Sequence, residues 1–514
     1  MFISSTKLGS FLITFIFLSF LLSPVFGFAA VFNVNNSAEL QDALSTAASN
    51  DEDDTINIAA GTFNTNGSAF SYMPAAFENF ALTLVGDGSG STILDGVGLD
   101  LVIIIDTTFV TDDSNSNITI RDLSIRNGNN SDGDGGGLFV ITELANITIE
   151  NCEFSSNVTV LDGSGAQVFS DSGNIILTNN TFINNIAGNS GGGVEVTSIS
   201  GDISITNNTF DNNSSIANIG GADVDSDSGI ITVTNNTFIN NSAGGLVGAF
   251  QSDTGSEGIT LSDNFFMDNS ATINAGAVDI KADSVSIILT NNIFIRNSAV
   301  DNGGAATLLG REITLTNNTF TLNSTNADGG AVSIDVTEDE TVNIFNNIAF
   351  NNTAVGDGDD IFVNDDLNND LFGSTVNLFN NDFSDFFSVC ENTIGCIPDI
   401  NQGNNLDADP LFVDAQAGNV NLTANSPVID AGDPNAPDLP SKDFAGNPRI
   451  IGSAPDMGAL EFIGGGGNGC SLANGPLQIG NANANVMTTL LLLGLTIGLR
   501  ALRRNSKRVE IRKT

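Results

Sequence analysis

Phenylalanine returns at a fixed interval along the middle of this chain. Phe154, Phe182, Phe210, Phe238, Phe266 and Phe294 stand 28 residues apart, and Phe320 follows after 26. Three positions behind each of these seven stands an Asn: Asn157, Asn185, Asn213, Asn241, Asn269, Asn297 and Asn323. A second line repeats with it, Gly-Gly-Ala or a close relative, as in Gly220-Gly221-Ala222, Gly303-Gly304-Ala305 and Gly329-Gly330-Ala331. A period of this length means stacked units that share one continuous core. The chain has 514 residues, but its length therefore sets no domain count.

Each repeat opens with alternating aliphatics, for example Ile175/Leu177, Ile203/Ile205, Ile231/Val233, Ile259/Leu261 and Ile287/Leu289. Alternation places them on one face of a strand, with Thr, Ser and Asn on the other. An Asn pair follows, such as Asn179-Asn180 or Asn235-Asn236. Asn tolerates left-handed backbone and suits a sharp corner. Then come the Phe strand, a loop of Ala, Ser, Asp and Gly, and a third strand begun by the Gly-Gly-Ala segment, whose Gly is expected to let the chain turn tightly. Three short strands in about 28 residues fit one coil of a parallel β-helix. Phe would stack on Phe inside, and Asn on Asn along a corner. About a dozen coils at a strand spacing of about 4.8 Å make a rod about 55–60 Å long. A propeller or sandwich needs antiparallel hairpins, which this pattern does not favour. The frequent Asn-x-Thr triplets follow from the corner chemistry and are not read as glycosylation sites.

The ends differ from the middle. Residues 1–29 read as a secretory signal peptide: Lys7, the apolar run Phe11 to Leu22, then Pro24 and small residues up to Ala29 at the cleavage point. Residues 30–116 hold the first coils and one helix. Asn36 is its expected N-cap with Glu39 three later, and Leu40, Ala43, Leu44 and Ala47 form its apolar face. That helix is expected to close the open end of the stack. Residues 117–383 are the repeats and 384–463 a C-terminal cap. Residues 464–485 form a Gly-rich linker carrying Cys470, and 486–514 an apolar helix with a basic tail that suits a membrane anchor. Cys390 and Cys396, which enclose five residues in an exported chain, are expected to pair as a disulfide.

Acidic residues number 60 against 15 Lys and Arg, and His and Trp are absent. Such a chain repels nucleic acid and anionic membrane surfaces but suits cations, Ca²⁺ above all. Without His, the commonest general base and metal ligand is missing.

Phe-x-x-Asn together with Gly-Gly-Ala-[Ile/Leu/Val], over about Ile118 to Asn352, resembles the repeats of the chlamydial polymorphic outer-membrane proteins. It is also similar to the wider bacterial right-handed parallel β-helix proteins, related in shape to pectate lyases. The resemblance implies an all-β, single-stranded right-handed parallel β-helix. Asp409-Pro410-Leu411-Phe412, Ser426-Pro427-Val428-Ile429-Asp430, Asp443-Phe444-Ala445-Gly446 and Asp456-Met457-Gly458 form a series that resembles the choice-of-anchor Q domain. This implies a cap ahead of a surface anchor. Arg449 among Asp430, Asp443 and Asp456 is expected to hold that cap by ion pairs, with a bound Ca²⁺ as the alternative. The Cys, apolar helix and basic stop after the linker resemble Gram-negative C-terminal sorting signals, with Cys470 the residue cleaved or lipidated. They imply a protein at the cell surface or outer membrane, or one secreted after C-terminal processing.

Paired carboxylates can act as acid and base. Asp112-Asp113, Asp223/Asp225/Asp227, Asp359-Asp360 and Asp365-Asp366 are such groups, but Arg121, Arg126, Lys281, Arg296 and Arg311 stand apart in sequence, with no pattern placing one beside an acid pair. No catalytic residue is assigned. The residues favour a structural or adhesive surface protein that binds surfaces or glycans. The alternative is a polysaccharide lyase or hydrolase. The partners expected are an extracellular surface or polysaccharide and, through the C-terminal helix, a membrane. Ca²⁺ is the one candidate cofactor.

Overall fold

A computed structural model describes residues 29–464, apart from 256, 337–340, 365–373 and 390–398. The signal peptide ahead of Ala29, the Cys390–Cys396 pair, Cys470 and the apolar C-terminal helix lie outside the described residues. Ala29 is exposed at their N-terminal edge. Among the described residues no helix is long and apolar enough to cross a membrane.

The repeats coil into a parallel β-helix. One long sheet takes two strands from most coils, such as Val194–Ser198 and Ile203–Thr206. In two coils the pair fuses into single strands, Val278–Thr290 and Ala306–Thr316. A second sheet takes one strand per coil and has 12 among the described residues, from Gly61–Asn64 to Asp382–Phe383. A third sheet of six two-residue strands, Asn129–Asn130 to Ser270–Ala271, lies in the segment that the sequence presents as loop. Register follows the repeat: Phe154 pairs with Phe182, Phe182 with Phe210, and Ile203 with Ile231.

The Phe side chains form a column at the centre. From Phe154 to Phe320 all seven are at most 2% exposed. Their ring centroids stand 4.6–4.9 Å apart with planes within 8° of parallel. Burial contributes about 1.5–3 kcal/mol per ring, and each stacked pair about 0.5–1.5 kcal/mol more. The column continues through Ala349, which pairs with Phe320, and not through Phe350. Phe350 is one place further along its strand and faces outward.

Asn forms two interior ladders, not one. The second Asn of each pair makes one: Asn180, Asn208, Asn236, Asn264, Asn292, Asn318, Asn347, Asn381 and Asn405. Each Nδ2 donates to the next Oδ1 at 3.0–3.3 Å. The Asn behind each Phe makes the other, from Asn157 to Asn352, at 2.9–3.1 Å. Asn241 shows the pattern. Its Nδ2 donates to Asn269 Oδ1 and to Phe210 O, and its Oδ1 accepts from both nitrogens of Asn213. All four hydrogen-bonding positions of the amide are filled, as burial requires. Immediately before each ladder Asn the chain bends through a left-handed residue, such as Asn235 (φ 57°) or Asn240 (φ 57°).

Glycine acts by close approach where the sequence suggests a turn. Gly221, the residue before Ala222, does not have positive φ. A Cβ there would lie 2.1 Å from Ala249 O in the next coil. The first Gly of other coils, such as Gly303 (φ 65°), does take the left-handed bend.

The helix, α1, spans Ser37–Ala47. Asn36 Oδ1 accepts from Ala38 N and Glu39 N, and Leu40, Ala43, Leu44 and Ala47 are buried against the first coils. Glu39 reaches back to Asn35 N, one residue before the N-cap.

At the other end, residues 409–462 do not sit over the terminus of the rod. They run back along its flank as a strap. The outward residues of the Phe sheet explain where. They are Thr181, Thr209 and Asp211 in earlier coils but become Phe265, Met267, Ile293, Ile295, Ile348 and Phe350 under the strap, packed against Val420, Val428, Met457 and Leu460. The corner Asn residues then hold the strap's backbone. Asn291 donates to Lys442 O, Asn317 to Asp456 O, Asn346 to Asp433 O and Asn380 to Ala431 O, at 2.8–3.1 Å.

Arg449 is buried where strap meets rod. Its ion pair is with Glu461 (3.2 Å), not with the three Asp that its sequence neighbourhood suggests. It also donates to Gly458 O, Ala459 O and Asn291 Oδ1. Asp430, Asp443 and Asp456 instead accept from backbone N–H groups of the strap's turns.

Two outcomes are expected. Phe238→Asp places an unpaired charge in the column, so the variant should lose its cooperative melting transition; a wild-type transition by calorimetry would contradict that placement. Arg449→Met leaves Glu461 buried without its partner and should cost about 3–5 kcal/mol, read as a lower denaturant midpoint or as early proteolysis of the strap.

Candidate functional site

The long sheet has an outer face, and the 28-residue period stacks chemistry there too. In strand Val194–Ser198, Val194 and Val196 point inward and Glu195 and Thr197 outward. The position of Glu195 forms a column through successive coils: Gln167, Glu195, Asp223, Gln251, Asp279, Thr307 and Ser333. Apolar residues, Phe139 before and Phe362 after, bound it. Two residues on lies a parallel column that includes Asp225, Asp253 and Lys281. Asp253 pairs with Lys281 in register, and Asp225 accepts a hydrogen bond from Asp253 N at 2.7 Å.

This face is roofed. The turn before each outer strand folds over the first column, so Asp223 is 7% and Asp279 only 1% exposed. The roof passes close. A Cβ on Gly163 (φ 62°) would stand 2.5 Å from Gln167 Oε1, and one on Gly303 would stand 2.5 Å from Thr307 Oγ1. Asp162 belongs to this roof and accepts from Asn189 Nδ2 and Ser190 N, both at 2.7 Å.

Several oxygens beneath the roof have no hydrogen-bond partner: Gln167 Oε1, Glu195 Oε2, Asp223 Oδ1, both Asp279 carboxylate oxygens, Thr307 Oγ1 and Ser333 Oγ. The electrostatics match. Burial, reinforced by the charges of Asp162, Asp134 and Asp225, pushes Glu195 up to about 8. Burial, with Asp225 and Glu195 beside it, holds Asp223 well above the usual carboxylate range. Burial raises Asp225 and Asp279 to about 6 each, against the pull of Lys281. Lys281 Nζ stands 3.9 Å from Asp279 Oδ2.

The other acid pairs have structural places. Asp113 is buried and accepts from Thr107 Oγ1, Glu143 N and Leu144 N. Asp360 accepts from Asn352 Nδ2 at the end of an Asn ladder. Asp365 and Asp366 lie outside the described residues. The bases do find acids, across coils as well as beside them in the chain. Arg126 pairs with Asp95, Arg296 with Asp268 and Arg121 with Asp122, at 2.7–2.8 Å. The neighbourhood of Lys281 was findable, since 225, 253 and 281 are one period apart and share a strand face. Among the described residues no group of three or more His, Cys, Asp or Glu is gathered as a ready metal site. Cys152 is buried and free at the head of the first Asn ladder, where its backbone N donates to Asn180 Oδ1. A hollow of about 350 Å³ lined by Leu439, Pro440, Ser441, Pro448, Arg449 and Ile450 lies in the strap, away from the acidic columns.

Residues 106–266 match the family model described as "Right handed beta helix region". The chain is a right-handed parallel β-helix. No curated protein matches it. Among solved structures it is similar to pectate lyase Pel9A, with 12% identity, 86% of this chain and 98% of that one covered, and a TM-score of 0.37. It is also similar to a PL6 family polysaccharide lyase from Pseudopedobacter saltans, with 12% identity, 77% and 97% covered, and a TM-score of 0.37. A mannuronic acid specific family 6 lyase from human gut microbiota has 10% identity, 73% and 85% covered, and a TM-score of 0.33.

The acidic columns set a pH dependence. Glu195, Asp225 and Asp279 have folded values above their ordinary ones, so between about pH 4 and 8 the folded protein binds more protons than the unfolded chain. Stability contributed by these groups is complete below that window and is lost as pH rises through it. In chelator-containing buffer the Tm should fall from pH 5.5 to pH 8; a Tm that climbs over that interval would show that other carboxylates dominate.

Proposed function

We propose that this protein is an exported, surface-anchored rod with a structural and adhesive role, which binds an extracellular surface or a glycan along its length. The observation that supports this reading is the repeating register of the coils. The long sheet pairs in parallel from Ala30 to Gly403, with a shift between Ala282 and Ser286. A uniform rod offers a long repeating surface. Its polar columns carry amide, hydroxyl and carboxylate groups once per coil, a spacing of about 4.8 Å. The leader and C-terminal sorting signal read from the sequence give it an address at the cell surface or a release from it. The acidic body accords with a partner other than nucleic acid.

A second reading, a polysaccharide lyase or hydrolase, is favoured by one observation. Lys281 stands beside Asp279 and in register with Asp253 on the outer face, so a base and carboxylates share one patch. An amine can take a proton from a sugar carbon only once its own proton is lost.

Incubation of the full-length protein with acidic and neutral polysaccharides, with and without Ca²⁺, separates the two. The rod reading expects retention on immobilised glycan or on whole cells, with no release of new reducing ends or unsaturated products. Turnover that disappears in Lys281→Ala, with the thermal transition kept, would replace it by the lyase or hydrolase reading.

A further inference from the structure

We propose that the roofed outer column of the long sheet binds a hard divalent cation of the Ca²⁺ type, bridged between successive coils by Glu195 and Asp223 with the Gln167 carbonyl on the rung before. This goes beyond the rod reading and does not depend on whether a glycan is bound or cleaved.

The first support is the kind of atom left without a partner. Three consecutive rungs each present one buried unpartnered oxygen: Gln167 Oε1, Glu195 Oε2 and Asp223 Oδ1. With Glu195 and Asp223 ionised, all three are acceptors only. What completes them must carry positive charge or donate protons. Asp223 is more than nine-tenths buried, and so is Gln167. An uncompensated carboxylate at that depth is costly.

The second support is the sign of everything that faces them. Asp134 and Asp162 approach from the roof and Asp225 from the same sheet, and all raise the charge burden on Glu195. The side chains that ease this burden are neutral ones, Gln167 at Glu195 and Ser190 at Asp223. Lys281 lies two coils further on, engaged with Asp279. No cationic side chain is among the groups that act on Glu195, and none is among those that act on Asp223.

The third support is length. Successive rungs are about 4.8 Å apart, and Ca²⁺ bonds oxygen at about 2.3–2.6 Å. A Ca²⁺ midway between two rungs therefore reaches an oxygen on each without moving the backbone. Mg²⁺, at about 2.0–2.1 Å and strict in its octahedron, would have to draw the coils together. No three acids converge on one point, so two rungs share the ion, and the Gln167 carbonyl and water fill the remaining positions.

The test uses the full-length protein, stripped with EDTA and held at pH 8 and constant ionic strength. With no Trp and a single Tyr, melting is followed by calorimetry or circular dichroism. CaCl₂ should raise the Tm by several degrees in a saturable way, as a ligand of the folded state does, and MgCl₂ at equal concentration should raise it far less. Glu195→Gln with Asp223→Asn should abolish the Ca²⁺ increment, whereas Asp171→Asn in a half-buried turn away from the column should keep it. A Tm that ignores Ca²⁺, equal shifts for the two ions, or an unchanged increment in the double variant would each overturn the proposal. If the double variant does not fold, calorimetric titration of the wild type decides. Saturable Ca²⁺ binding at about one or two ions per chain that Mg²⁺ does not displace supports the site; the absence of such binding rejects it.

Discussion

The structure depends on the buried amide ladders. A β-helix must turn its chain at every corner without leaving backbone groups unpaired in the interior. Here the turn is made by a left-handed residue and the pairing by the Asn that follows it. Each ladder Asn donates forward to the next side chain and back to a main-chain carbonyl, so no amide is left over. The side-chain-to-side-chain hydrogen bonds all run one way, with donors pointing toward the C-terminal end. Aligned amide dipoles leave partial positive charge at that end, as in a helix macrodipole. In the ladder behind the Phe column a carboxylate meets it: Asn352 donates to Asp360, whose other oxygen is held by Ser384.

Corners locked in this way force like onto like everywhere else. In the interior this is favourable, because Phe on Phe and Ile on Ile pack without polar remainder. On the outer face the same register stacks acid near acid, which is unfavourable and adds to the burial that raises the carboxyls of Glu195, Asp223 and Asp225. Where the repeat departs from itself, the departures have uses. The outside of the Phe sheet is most apolar beneath the strap, and the corner Asn residues there hold strap carbonyls. Asn of the same corner in earlier coils bond to their own column, as Asn235 does to Asn207.

The Phe column, the strands and the N-terminal helix were legible because each depends on spacing alone. Phe350 lies near the interval of the Phe line, but its offset from Asn347 puts Ala349 in the column instead. The base-acid contacts were missed for a related reason. Arg126 meets Asp95 and Arg296 meets Asp268 about one coil away, a distance invisible to a search for neighbouring residues. The candidate site was written in the same period, at 195, 223 and 279 and at 225, 253 and 281, but polar residues on a strand read by default as solvated. Only the roof over them makes their burial, and so their chemistry, apparent.

The sequence alone determined that this chain coils, how many residues each coil takes, and which side chains stack at its centre, because a 28-residue period with alternating strands admits few other solutions. Tertiary structure decided what lies over the coil. The strap's path along the flank follows from apolar residues scattered over several rungs, and the closed roof follows from glycines that let one turn press against the next strand. Both join residues far apart in sequence through contact alone, and contact across coils is set by three-dimensional packing rather than by any local pattern.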